Sequence, residues 1–179
     1  MLIFIIGYMG AGKTTLGKRL AERLNYHFYD MDEMFEVSTG YSIIHYFEKF
    51  GEGAFRLKER EILFNHLDDL QTVIATGGGT ACYADNMAIM NQKGMTVFVD
   101  TGFESIMKRL AGKIHERPML KNIPQEQLPS FIQEHMTARR EYYSKALIKV
   151  DGEVVNLDWL IKTLRTFAVN KPTHKHERS

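Results

Sequence analysis

The apolar run Leu2–Ile6 leads straight into Gly7-Tyr8-Met9-Gly10-Ala11-Gly12-Lys13-Thr14, and Leu16, Leu20, Ala21 and Leu24 follow at helical spacing. The pattern is G-x-x-x-x-G-K-[ST] placed between a buried strand and a helix, and chance alone gives it in under ~1% of chains this long. Each residue type has a task. Glycines let backbone N–H groups converge on phosphate oxygens, Lys13 adds a mobile positive charge, and the Thr14 hydroxyl suits Mg²⁺ at a helix N-terminus whose dipole favours anions. The loop specifies a bound nucleotide but leaves the reaction open, because switches, motors and small-molecule kinases all carry it.

The rest of the chain alternates short apolar runs with longer amphipathic ones, the pattern of repeated βα units around a parallel sheet. Strands are expected at Leu2 to Ile6, Phe28 to Asp30, Val73 to Thr76, Thr96 to Asp100 and Leu147 to Val150. Helical periodicity follows the phosphate loop and recurs from Glu52 to Leu70, Asp85 to Lys93, Phe103 to Leu110, Leu128 to Ala146 and Leu157 to Phe167. Gly112 to Pro129, with three prolines and several charges, has neither period and reads as a functional loop or lid. Residues 1–169 are expected to form one domain, and the polar, basic tail 170–179 to be disordered.

Composition narrows the partners. Lys plus Arg total 23 against 22 Asp plus Glu, a net charge of +1 that supplies no basic surface for nucleic acid or an anionic membrane. The single cysteine, Cys82, allows no internal disulfide and fits a reducing compartment; it reads as a small buried hydrophobe. No apolar run approaches the ~20 residues of a membrane-spanning helix. A cytoplasmic protein is therefore expected.

Four further features bear on chemistry. Asp30-Met31-Asp32 closes the second strand, and alternation along an extended backbone would aim both carboxylates at the phosphate loop, one toward a metal-bound water and one toward a substrate hydroxyl. A helix cap at Asp32 is the competing explanation. On the Glu52–Leu70 helix, Arg56 and Glu59 share the face of Phe55, Ile62, Leu63, His66 and Leu70, where charge is out of place. Arg139 falls in register with Leu128, Phe131, Ile132, His135 and Met136, so a second guanidinium points inward; His135 reads as a satisfied core histidine. Thr76-Gly77-Gly78-Gly79-Thr80 ends the third strand and implies a tight turn or a backbone approached closely by a ligand. In the lid, Arg117-Pro118 could carry a cation to the transferring group, with Lys113, His115 and Lys121 around it.

Taken together, these motifs resemble the shikimate kinase family up to about Asp151. The phosphate loop, Asp30-Met31-Asp32, Gly51-Glu52-Gly53-Ala54-Phe55-Arg56, the triple glycine, Arg117-Pro118 and Arg139-Arg140-Glu141-Tyr142-Tyr143 match the family's motifs in order and spacing. The resemblance implies a three-layer α/β sandwich with a five-stranded parallel sheet of order 2-3-1-4-5, flanked by helices, with a lid at about 112–124, acting as a monomer. It implies transfer of the ATP γ-phosphoryl group to the 3-hydroxyl of shikimate, on the route to aromatic amino acids, with Mg²⁺. By position, Gly10, Ala11, Gly12, Lys13, Thr14 and Thr15 would hold the phosphates, and Arg109 would lie by the adenine. Thr14 would ligate the metal directly and Asp30 through water. Asp32, Arg56, Gly77, Gly78, Gly79 and Arg139 would bind shikimate, with Lys13, Asp32 and Arg117 catalytic.

Two departures from the family pattern stand out. Glu141 replaces a proline common after the arginine, and Gly152-Glu153-Val154-Val155 lacks the arginine many relatives place near the adenine. The rivals are another small-molecule kinase, such as a gluconate or nucleoside monophosphate kinase, and a non-catalytic nucleotide-binding module. A neutral acceptor would leave inward guanidinium groups unpaired at a cost of several kcal/mol, and a module without chemistry has no use for Asp32 and Arg117.

Overall fold

The structure is a computed structural model that describes residues 1–112, 114 and 118–170. Arg117, Lys113, His115 and the tail beyond Asn170 lie outside the described residues. Five strands, β1 (Leu2–Ile6), β2 (His27–Asp30), β3 (Thr72–Ala75), β4 (Met95–Asp100) and β5 (Ile148–Asp151), form one sheet of order β2-β3-β1-β4-β5, parallel throughout. Every residue of β1 and β3 is buried, which is why these strands are continuous apolar runs without alternation. The five expected strands are all present, with ends moved by a residue or so.

Among the described residues, seven α-helices connect and flank the strands: α1 (Lys13–Leu24), α2 (Met31–Thr39), α3 (Ile43–Asn65), α4 (Asn86–Lys93), α5 (Phe103–Leu110), α6 (Leu128–Tyr143) and α7 (Leu157–Asn170). Right-handed crossovers put α1, with α7 packed on it, on one face of the sheet, while α3, α4 and α6 meet around the 3₁₀ turn Thr80–Cys82 on the other. The chain runs to one side of β1 for β2 and β3 and to the other for β4 and β5. The sheet therefore has its switch point at the carboxyl end of β1, where such folds bind ligands.

Two expectations about helices need correction. Strand β2 stops at Asp30 and α2 begins at Met31, so Asp32 stands in the first turn of a helix and does not continue an extended alternation. The cap is Asp30, whose Oδ1 accepts from the Asp32 N–H at 3.0 Å. The helix expected from Glu52 to Leu70 ends at Asn65, leaving Leu70 76% exposed in the turn to β3. It is preceded by another helical segment from Ile43, joined to it through Gly51 at φ 80°, ψ 171°.

Aromatic rings fix α2 against α3. Phe35 packs on Tyr46 at 4.9 Å and on Phe55 at 4.8 Å, bridging both halves of the broken helix. Helix α1 meets β2 at Gly17, where an added Cβ would stand 2.6 Å from the Phe28 ring. Asn25, at φ 54°, then closes α1 in the left-handed conformation that turns the chain into β2.

Candidate active site

The phosphate loop is held at the sheet edge by its neighbours. Gly7 adopts φ +145°, and an added Cβ would lie 2.8 Å from the Val99 carbonyl. The Thr101 hydroxyl donates to the Ala11 carbonyl at 3.0 Å. Lys13 Nζ donates to the Tyr8 carbonyl at 2.9 Å, which folds the side chain back over the loop. A cavity of about 580 Å³ opens above, lined by Gly10, Ala11, Gly12, Lys13, Thr14 and Thr15 together with Arg19, Asp30, Asp32, Thr76, Arg109, Gly152, Glu153 and Val155. Every residue expected to hold phosphate lines it.

Thr14 Oγ1 donates to Asp30 Oδ2 at 2.6 Å. A hydroxyl and a carboxylate, adjacent at a helix N-terminus, are the hard oxygen donors that Mg²⁺ takes alongside phosphate oxygens and water. The residues present thus fit the ion.

Arg109 reaches the same cavity from α5. Its Nη1 donates to the Gly10 and Ala11 carbonyls at 3.3 and 3.1 Å, and its Nη2 pairs with Glu153 Oε2 at 3.2 Å. Glu153, in the segment after β5 that lacks the family's arginine, thereby holds the arginine that α5 supplies.

A second cavity of about 400 Å³ adjoins the first and shares Met9, Asp32 and Gly78 with it. Arg56, Glu59, Gly77, Gly79 and Arg139 line it, as do Glu33, Glu36, Ile43, Phe47, Phe55, Pro118 and Met119. All six residues expected to bind the acceptor are therefore brought together, with Asp32 at the junction. Sequence reasoning missed the wall formed by Glu33, Glu36, Ile43 and Phe47. The exposed acidic turn of α2 carried no pattern to set it apart, and Ile43 and Phe47 belong to the helical segment that was not expected.

The inward charges are ordered by a buried network. Arg56, 9% exposed, gives Nη1 to Glu59 Oε2 at 2.6 Å, and the other Glu59 oxygen accepts from the Thr80 hydroxyl at 2.7 Å. Burial alone would drive the Arg56 guanidinium toward neutrality, but Glu59 and Glu52 outweigh it and hold its pKa above the ordinary arginine value. The triple glycine follows from the same packing. A Cβ at Gly77 would overlap the Glu59 carboxylate, one at Gly79 would overlap the Arg56 guanidinium, and one at Gly78 would press on the Met9 amide at 3.2 Å. Tyr143 donates its hydroxyl to the Gly78 carbonyl, and burial raises its pKa far above the ordinary phenol value.

Cys82 is only part-buried, contrary to expectation, and stands within hydrogen-bonding reach of Tyr143. Burial pushes its thiol pKa up against the opposing pull of Arg139, so it stays protonated and unreactive. His135 is half-buried and bonded to Tyr8, the satisfied histidine that the sequence implies.

A phosphate loop at the switch point, joined through one carboxylate to a smaller cavity with two buried arginines, defines a P-loop kinase whose acceptor is small and anionic. The shikimate kinase family model matches residues 9–164. The chain is 41% identical over 151 residues to a shikimate kinase of Parabacteroides distasonis, covering 84% of this chain and 87% of that one. It is also 41% identical over 153 residues to that of Aquifex aeolicus, covering 86% and 88%. The fold superimposes on shikimate kinase from Acinetobacter baumannii in complex with shikimate, with a TM-score of 0.83 at 32% identity over 95% of this chain and 94% of that one. The enzyme from Bacteroides thetaiotaomicron gives a TM-score of 0.80 at 34% identity, over 95% and 97%. The chain belongs to the shikimate kinase family, and it is an ATP-using kinase of aromatic biosynthesis.

Proposed function

We propose that the chain transfers the γ-phosphoryl group of ATP to the 3-hydroxyl of shikimate through the two joined cavities, with Asp32 at the point of transfer. The observation that carries this is the shared lining: Asp32 borders both the phosphate-loop cavity and the arginine cavity. Gly10 to Thr15 cradle the phosphates, and Lys13 neutralises charge on the transferring group. Arg56 and Arg139 take the shikimate carboxylate, Gly77 to Gly79 bring backbone close to the ring, and Asp32 accepts a hydrogen bond from the reacting hydroxyl and orients it in line. Arg109, braced by Glu153, meets the adenine. Thr14 and Asp30 would hold Mg²⁺, which when bound would offset charge on the phosphates. Arg117, which lies outside the described residues, serves as the lid cation, in a lid spanning about 112–124 whose Pro118 and Met119 already border the acceptor cavity.

The enzyme works as a monomeric domain of residues 1–169 in the cytoplasm. Among the described residues no helix is long and apolar enough to cross a membrane. The test is ADP release from Mg-ATP with shikimate, gluconate, a nucleoside monophosphate or no acceptor. Release only with shikimate, abolished in Lys13→Ala, is the expected result. Release with another acceptor alone would overturn shikimate as the acceptor.

A further inference from the structure

Tyr8 occupies a variable position of the phosphate loop, yet its side chain is buried, 3% exposed, and phosphate binding gives it no task. Its hydroxyl lies 2.9 Å from Nδ1 of His135 on α6, with the two rings edge to face at 5.5 Å. Phe131, one turn back, packs against the imidazole at 5.4 Å. The guanidinium of Arg139, one turn on, stands over the Tyr8 ring at 5.9 Å and borders the acceptor cavity.

Both members of the pair are uncharged near neutral pH. Burial raises the Tyr8 phenol pKa to about 12 against the pull of Arg139, and burial, then Arg139 and Arg56, bring the His135 pKa down to about 4. A neutral imidazole does not repel the guanidinium beside it. The Tyr8 ring is left with its face to Arg139 and its hydroxyl tied to the helix that carries Arg139.

We propose that Tyr8 and His135 are a positioning pair that sets the Arg139 guanidinium in the acceptor cavity and ties it to the phosphate loop. Neither residue lines the phosphate-loop cavity or the acceptor cavity, so the pair acts through Arg139. This rests on the reading that Arg139 binds the shikimate carboxylate. A phenylalanine at position 8 would keep the ring and lose only the bond, so Tyr8→Phe isolates the role.

Steady-state kinetics of the full chain decide it, with Tyr8→Phe, His135→Leu, His135→Asn, the Tyr8→Phe/His135→Leu double variant and Arg139→Ala. Loss of one neutral hydrogen bond is expected to raise the shikimate KM roughly three- to tenfold in Tyr8→Phe and His135→Leu, with the ATP KM unchanged. His135→Asn, which keeps a polar atom at the Nδ1 position, should restore the shikimate KM, and the double variant should be no worse than either single one. Should His135→Leu fail to fold, Tyr8→Phe carries the test. A raised shikimate KM in Arg139→Ala beside an unchanged one in Tyr8→Phe would overturn the pair and leave the carboxylate reading standing. An unchanged shikimate KM in Arg139→Ala would overturn both. Equal rises in the two KM values of Tyr8→Phe, with no rescue by asparagine, would reduce the pair to a structural contact.

Discussion

Gly79 shows how tightly the acceptor cavity is specified at single positions. Its φ of −99° is open to any residue, so the demand for glycine is steric: the Arg56 guanidinium lies where a side chain would begin. Gly79→Ala should push that guanidinium aside, cost about 1–3 kcal/mol in the manner of an overpacked core, and raise the shikimate KM. Gly102→Ala, where an added Cβ meets open space, should leave the KM unchanged and cost only the weaker cap it puts at the start of α5. Chemical unfolding and KM measurements on the two variants check this. At this scale the sequence was readable wherever a charge interrupted an apolar helical face, as at Arg56, Glu59 and Arg139, all of which are buried. The partners of those charges were not readable. Thr80 reaches Glu59 from 21 residues away and Tyr143 reaches Gly78 from 65, and no local period records such pairings.

Helix α3 carries the corresponding lesson for elements. Its second half was legible from the spacing of Phe55, Ile62 and Leu63, but the first half was not, because Gly51 breaks the period between them. That glycine needs its conformation, at φ 80° with open space around it, whereas Gly53 lies in regular helix with open space of its own. Alanine should therefore have opposite effects two residues apart. Gly51→Ala is expected to destabilise by about 1–3 kcal/mol, the cost of putting a Cβ on a conformation that only glycine adopts readily. Gly53→Ala is expected to stabilise by roughly 0.5–1 kcal/mol through helix propensity. Urea unfolding midpoints read both. The start of α2 shows the other limit of element reading: Asp30 and Asp32 both suit a cap, and only the end of β2 at Asp30 decides between them.

The whole molecule is held by a sheet whose order follows from its crossovers; its central strands β1, β3 and β4 were legible as buried runs because both faces are covered, whereas the edge strands β2 and β5 are part-exposed. Stability should depend on pH through a side chain that joins two parts of that frame. The folded His135 pKa, near 4, lies below the ordinary value of 6.5, so the unfolded chain binds the extra proton first as pH falls. Stability from this group is intact above about 6.5 and is lost between there and about 4. Unfolding free energy should fall from pH 7.5 to 5, and His135→Asn should reduce that fall; an identical decline in the variant would contradict the assignment.

Asp32 stands where the two cavities meet, and the kinetics of Asp32→Asn test its proposed role in transfer directly. The amide keeps the size of the side chain and removes the charge that orients the reacting hydroxyl. Turnover should fall roughly 10²–10⁴-fold, the range for a positioned acid–base group, with the ATP KM little changed. Turnover equal to that of the unaltered enzyme would contradict the placement of phosphoryl transfer at Asp32.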